Sequence, residues 1–233
     1  MKSIIYAALF IAILSNCSKK ESCPPDVILG SLALNSASKE FLPYGNIRFV
    51  EFVDSAALDT AVLYSFNGLI HDTSRTVIEN ICLIDEERAD RYFNSEHLTV
   101  DYFDLDTSRK FRIIGNVSIN EDFRSKSSTL QNPVLYDELK LTVHRTNPSI
   151  SSGVATLEFV AHDRGNLNIL SDTLRSRIQR YSLVPEVTIH DSVYKDVFVF
   201  KYRDTAVFYF KPNQGLVAFR DINSKWWNLH KKY

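Results

Sequence analysis

"LYDELKLTVHR", residues 135–145, alternates with a period of two: Leu135, Leu139, Leu141 and Val143 share one face, and Tyr136, Glu138, Lys140, Thr142 and His144 share the other. Successive side chains of a strand point to opposite sides of a sheet, so this pattern describes a strand with one dry face and one wet face. Asp137 is the one residue that breaks the dry face.

The same alternation extends outward in both directions. "TVIENICLI", "HLTVDYF", "KFRIIGNVSI", "GVATLEFVA", "EVTIH", "DVFVFKY" and "AVFYF" are β-branched and aromatic runs of strand length, bounded by Asp, Asn, Ser or Gly. From residue 196 onward the chain reads as a meander with turns at Arg203-Asp204-Thr205 and Pro212-Asn213-Gln214-Gly215. Pro212 presets φ for the second turn, and Gly215 can close it with φ > 0. Only two windows suit a helix. "DEERADRYF" has Glu87 and Arg91 at i,i+4 spacing, and "LSDTLRSRIQRY" has Leu170, Leu174 and Ile178 at spacing four. The expected fold is all-β, mainly antiparallel, with at most one or two short helices after the N-terminal segment. Strand order is not readable from sequence, so a sandwich, a barrel and a curved half-barrel all remain open.

The N-terminus has a different character. Lys2 precedes the apolar run Ile4 to Leu14, whose eleven residues would span roughly 16 Å as a helix, about half of a ~30 Å hydrocarbon core. A charged start, a short apolar run and small residues after it describe a secretory signal peptide. Leu14-Ser15-Asn16-Cys17 is similar to a lipobox, the cleavage site of bacterial lipoproteins. That resemblance implies cleavage before Cys17 and acylation of Cys17, which would tether the chain to a membrane. The expected organisation is a signal peptide over 1–16, a tether over 17–28 and one β-rich domain over 29–233. Of the three cysteines, Cys23 and Cys82 then remain. An oxidising envelope permits a disulfide between them, whereas the position of Cys82 within an apolar strand also suits a small buried filler.

Parts of the domain resemble uncharacterised lipoproteins of Bacteroidota-type bacteria. Tyr194, Asp196 and Val197, then Phe208 and Tyr209, then "GLVAF" at 215–219, and finally Trp227 and Leu229 match the strand–hairpin–W.L tail of that family. "FLPYGNIRFVEFVDS", beginning at Phe41, matches its start. The resemblance implies a Gram-negative envelope, and it carries no catalytic residue. By the sorting pattern of such lipoproteins, Ser18 after the anchor implies the outer membrane.

Several chemistries find little support. Without Lys2, the 27 basic residues fall to 26 against 28 acidic ones, and no basic block stands out, which argues against a nucleic-acid partner. No Cys/His pattern has zinc-ligand spacing, and no Walker, dinucleotide or G-x-S-x-G motif occurs among only seven glycines. No metal or cofactor is therefore expected. "FDLDTSRKF" places Asp104 and Asp106 at alternate positions, but Ser108 and Arg109 follow where a calcium loop needs Asp or Asn and then Gly, so it reads as a hairpin turn. His71, His162 and His190 each precede an aspartate, yet adjacent strand side chains diverge, and each pair falls where an apolar run ends.

Trp226-Trp227 has two readings. It is either an aromatic platform for a sugar or apolar ligand, or one plug for the sheet end beside one shield for its edge. The triplet Asp-Ser/Thr-apolar occurs five times. Turn chemistry accounts for it, and it also resembles the O-glycosylation acceptor of Bacteroidota secreted proteins, which makes Ser55, Thr60 and Thr205 candidate modification sites. The expectation for function is a lipid-anchored envelope lipoprotein, bound to the outer membrane through Cys17, whose non-catalytic β domain binds or scaffolds a protein, glycan or lipid partner. The alternative is an anchored hydrolase whose His/Asp site is assembled from separate strands.

Overall fold

The computed structural model describes residues 22–56, 58–84, 87–106, 111–145, 154–178, 181–189, 192–202, 205–221 and 224–233. Among them lie thirteen strands: β1 (Val27–Leu32), β2 (Phe49–Asp54), β3 (Thr60–Tyr64), β4 (Ile70–Ile84), β5 (Glu87–Asp104), β6 (Phe111–Glu121), β7 (Leu135–Arg145), β8 (Val154–His162), β9 (Tyr181–Ile189), β10 (Ser192–Tyr202), β11 (Thr205–Lys211), β12 (Gly215–Arg220) and β13 (Trp226–Lys232). Two short helices accompany them, α1 (Ser36–Lys39) and α2 (Asp172–Ile178). The fold is all-β, and the second helix window is the one that becomes helical. In the first window, Glu87 to Phe93 form the start of β5 instead. The acid and base that suggested a helix are satisfied across strands instead, with Arg91 donating to Glu79 at 2.8 Å from a paired register position.

The strands hydrogen-bond in the order β8-β7-β6-β5-β3-β2-β13-β12-β11-β10-β9, all antiparallel. This sheet curls into a nearly closed barrel. Its two ends, β8 and β9, meet through side chains. The Phe159 and Tyr181 rings are 4.2 Å apart, Phe159 and Phe198 are 4.8 Å apart, and the Val160 amide donates to the Tyr181 hydroxyl at 3.1 Å.

Alternation sorts the wall. Phe111, Ile113, Val117 and Ile119 of β6 and Leu139, Leu141 and Val143 of β7 point inward. Arg112, Asn116 and Asn120 on β6 and Glu138 and Lys140 on β7 take the outward positions. A membrane-spanning barrel needs the reverse, an apolar band facing out.

A wall of this many strands encloses more space than its own side chains fill, and residues 33–47 occupy the remainder. Leu34, Phe41, Leu42 and Tyr44 join the core, and Phe41 stacks on Phe210 at 5.7 Å while touching Phe159 and Phe198. Phe41 therefore braces the β8–β9 seam from inside. Fully burying such a ring is worth roughly 1.5–3 kcal/mol. Two glycines admit this plug. At Gly115 an added Cβ would lie 2.9 Å from Leu42 Cδ2. At Gly215, with φ +79°, it would lie 2.5 Å from the Tyr44 hydroxyl. The turn ahead of β12 thus needs glycine twice over, for its backbone and for its neighbour.

At the other extremity of β5 the sheet splits. Leu98 to Phe103 pair with β6, whereas Arg91 to Ser95 pair with β1, the only parallel partner among the described residues. β4 follows β5 along its opposite edge from Thr99 back to Glu87. β1, β5 and β4 thus leave the barrel as a three-stranded ribbon. Cys23 is bonded to Cys82 at the outer part of this ribbon, with Cα atoms 5.6 Å apart. Cys23, Val27 and Ile28 are thus joined to the ribbon. A second, small core of Val134, Tyr136, Leu170 and Leu174 seats α2 on the outer face of β7 and β8.

Candidate functional site

Where the ribbon departs from the barrel wall it leaves a groove of about 460 Å³. Arg75, Asn80 and Arg88 line it from the ribbon, and Asn120, Glu121, Phe123, Tyr136 and Glu138 line it from the wall and the β6–β7 loop. A neighbouring depression of about 170 Å³ shares Glu121, Phe123 and Tyr136 and adds Arg124, Ser171 and Thr173. Each side is held from behind. Arg75 lies 2.7 Å from Asp26 and 4.4 Å above the Tyr92 ring, and Arg88 lies 2.8 Å from Asp90. The Asp90 amide, helped by Arg75, holds the Asp26 carboxyl below its ordinary value. On the wall, Asn120 donates to Glu138 at 2.9 Å. Asp122 accepts from both the amide and the hydroxyl of Ser171, which fastens the β6–β7 loop to the start of α2.

Two features of the groove are unusual for a merely solvated surface. Phe123 is 66 % exposed. Glu121 accepts from the Ser128 hydroxyl through Oε1, while its buried Oε2 has no hydrogen-bond partner among the described residues. Desolvation, and then the nearby Asp122 charge, raise the Glu121 pKa. The groove therefore presents guanidinium and amide groups and a bare aromatic ring, with the Glu121 carboxyl buried in its floor. Such a lining suits a polar partner with hydrogen-bonding groups and a flat or ring-shaped surface.

A second polar cluster sits at the barrel mouth. Asp137, the interruption in the dry face of β7, is fully buried. It accepts from the Asn35 amide at 2.9 Å, the Ser38 hydroxyl at 2.7 Å and the Arg164 guanidinium at 2.5 Å. Beside it, Glu96 accepts from the Leu34 amide at 3.0 Å and from Lys39 at 2.6 Å. Burial opposes ionisation of Glu96, but those donors prevail and hold its pKa below the ordinary value. The two carboxylates clasp the plug at consecutive residues. This cluster is saturated, and its serine is buried.

The residues singled out from sequence fall apart spatially. Cys17 and His190 lie outside the described residues. His162 stands opposite Asp137 in the β7–β8 register, yet its Nδ1 accepts from the Arg164 amide at 2.9 Å, and Asp137 is committed elsewhere. His71 is exposed on β4. Among the described residues, no three His, Cys, Asp or Glu side chains gather as a metal site.

The aromatic-platform reading fails for Trp227. It is 2 % exposed, packed against Phe111 and Phe219, and donates to Asp221 at 3.2 Å. Trp226 points outward, half-buried beside Tyr209. Ser55 and Thr60 are exposed at the β2–β3 turn, and β11 begins with Thr205 at the same end of the barrel. The groove residues were not singled out from sequence. The one local signal is Phe123, a lone aromatic in the charged stretch "NEDFRSKSS". The chain matches no protein family, no curated protein and no solved structure.

Proposed function

We propose that this chain is a cell-envelope lipoprotein, anchored at the outer membrane through acylated Cys17, whose non-catalytic β domain binds or scaffolds a partner on its outer surface. The observation that carries the reading is the occupied barrel. Phe41, Leu42 and Tyr44 fill the interior that a lipid carrier of this shape would keep open, so recognition falls to the outside. The groove between ribbon and wall is the contact surface, and its polar lining favours a protein or glycan over an acyl chain. Ser55, Thr60 and Thr205 belong to the same proposal as O-glycosylation acceptors at the far end of the barrel.

Intact-mass spectrometry and membrane fractionation of the native protein, beside a Cys17→Ser variant, test the anchor. The expected result is acyl mass and membrane retention that the variant loses. An unmodified Cys17 in a soluble protein would overturn it. The same mass measurement finds sugar or dismisses it. A photocrosslinking residue at Phe123, compared with one at exposed Leu58 on the opposite end, tests the surface in whole envelopes. A discrete adduct specific to position 123 supports the groove, and equal labelling at both positions refutes it.

A further inference from the structure

The place where the chain enters the fold determines which way the domain faces. Cys23 is fixed twice to the outer part of the ribbon, by its bond to Cys82 and by donation from its amide to the Glu87 carboxylate at 3.1 Å. From Val27 onward the chain is held again, in parallel register with Arg91 of β5. Only five residues, Ser18 to Ser22, separate Cys17 from Cys23. Fully extended, that connection reaches at most about 20 Å. Next to Cys82 on β4, the large aliphatic side chain of Leu83 is 75 % exposed. β5 then carries the chain from Glu87 at this tip to Asp104 near the β2–β3 turn, where Leu58 is 86 % exposed.

We infer that the outer end of the β4–β5 ribbon is the membrane-facing pole of the domain, with Leu83 seated at the headgroup–acyl boundary of the lipid surface. The inference rests on the anchor at Cys17 proposed above. A tether this short holds Cys23, and with it Leu83 beside Cys82, within about 20 Å of that surface, and places no such limit on the barrel end carrying Leu58. A lipid surface is the occupant because the anchored end of the chain arrives there, and Lys19 and Lys20 of the tether suit phosphate headgroups. Asp85, Glu86 and Glu87, which join β4 to β5 in the sequence, disfavour an anionic surface, so the seating is on a zwitterionic surface and chiefly apolar. The groove then opens on the flank of the domain, beside the membrane rather than against it.

The test uses the full-length acylated protein, carrying p-benzoylphenylalanine at Leu83 or at Leu58. Each is reconstituted into phosphatidylcholine–phosphatidylethanolamine vesicles and irradiated, and mass spectrometry reads acyl mass at Cys17 and phospholipid adduct at the probe. The expected result is a several-fold excess of lipid adduct at position 83 over position 58. Acylated protein with equal adducts, or with none at 83, overturns the pole and leaves the anchor standing. Protein without acyl mass at Cys17 overturns the anchor and the pole together.

Discussion

Replacing Asp137 by Ala should be the most damaging single polar substitution in this fold. The change takes the acceptor from three donors: the Asn35 amide, the buried Ser38 hydroxyl, and Nε of Arg164, whose side chain is only 21 % exposed and whose Nη2 keeps the Ala33 carbonyl at 2.6 Å. Removing one partner of a buried, hydrogen-bonded pair costs about 3–5 kcal/mol. In a domain of this size each kcal/mol moves Tm by ~2–4 °C, so the variant should melt roughly 6–20 °C lower. Thermal and urea unfolding, followed by near-UV circular dichroism, read the change directly.

A double-mutant cycle supplies the sharper assay. Once Asp137 is gone, removing Arg164 as well should cost much less than removing it from the wild type, because the uncompensated charge has left with it. The coupling should amount to about 1–3 kcal/mol. Strict additivity of Asp137→Ala and Arg164→Ala, or an Asp137→Ala loss below about 1 kcal/mol, would refute the clasp as the fastener of the plug.

Other expectations follow from the plug, from Lys232 and from the groove. Gly215→Ala should cost about 2–5 kcal/mol by summing left-handed backbone strain with a collision against the Tyr44 hydroxyl, and adding Tyr44→Phe should recover part of that; an unchanged urea midpoint would contradict both contributions. Burial pushes the Lys232 ammonium down to about 8 from 10.5, so the unfolded chain holds a proton that the folded chain has released in that interval. Wild-type stability should therefore rise with pH between about 8 and 10.5, and Lys232→Met should lack this gain in urea titrations at successive pH values. Glu121 has a raised folded pKa, so its ionised form opposes folding. Glu121→Gln should be the more stable protein near neutral pH, with the difference shrinking as acid protonates the wild-type carboxyl; an advantage growing in acid would have the wrong sign.

The strands were legible wherever one face meets the core and the other meets water. "FRIIGNVSI" and "LYDELKLTVHR" are of that kind, and both lie in the barrel wall. Reading failed where satisfaction comes from far along the chain. Glu87 and Arg91 mimic a helical pair, but the partner of Arg91 is Glu79 on the neighbouring strand. Asp137 looks like a flaw in its strand until Ser38, 99 residues earlier, and Arg164, 27 residues later, arrive to bind it. The groove is less legible still, since Arg75 and Glu121 meet only because β5 changes neighbours halfway along. Nothing local in β5 announces that change. Trp226 and Trp227 illustrate the period-two rule at its simplest: of two identical neighbours, one faces out and one becomes core.

The plug also sets the order in which the molecule can become whole. Phe41 needs Phe210, and Tyr44 accepts from the Leu216 amide, 172 residues further on. Arg48 and Phe49 donate to the carbonyl of Tyr233, just past β13, and the Tyr233 amide donates back to Phe49. The earliest-made part of the domain thus waits for the latest-made part, and contacts of such long range make folding slow. Until the final strand is delivered, the aromatic residues of the plug have no wall to press against. Losing a few C-terminal residues should therefore loosen the opposite terminus of the chain as much as the end that was cut.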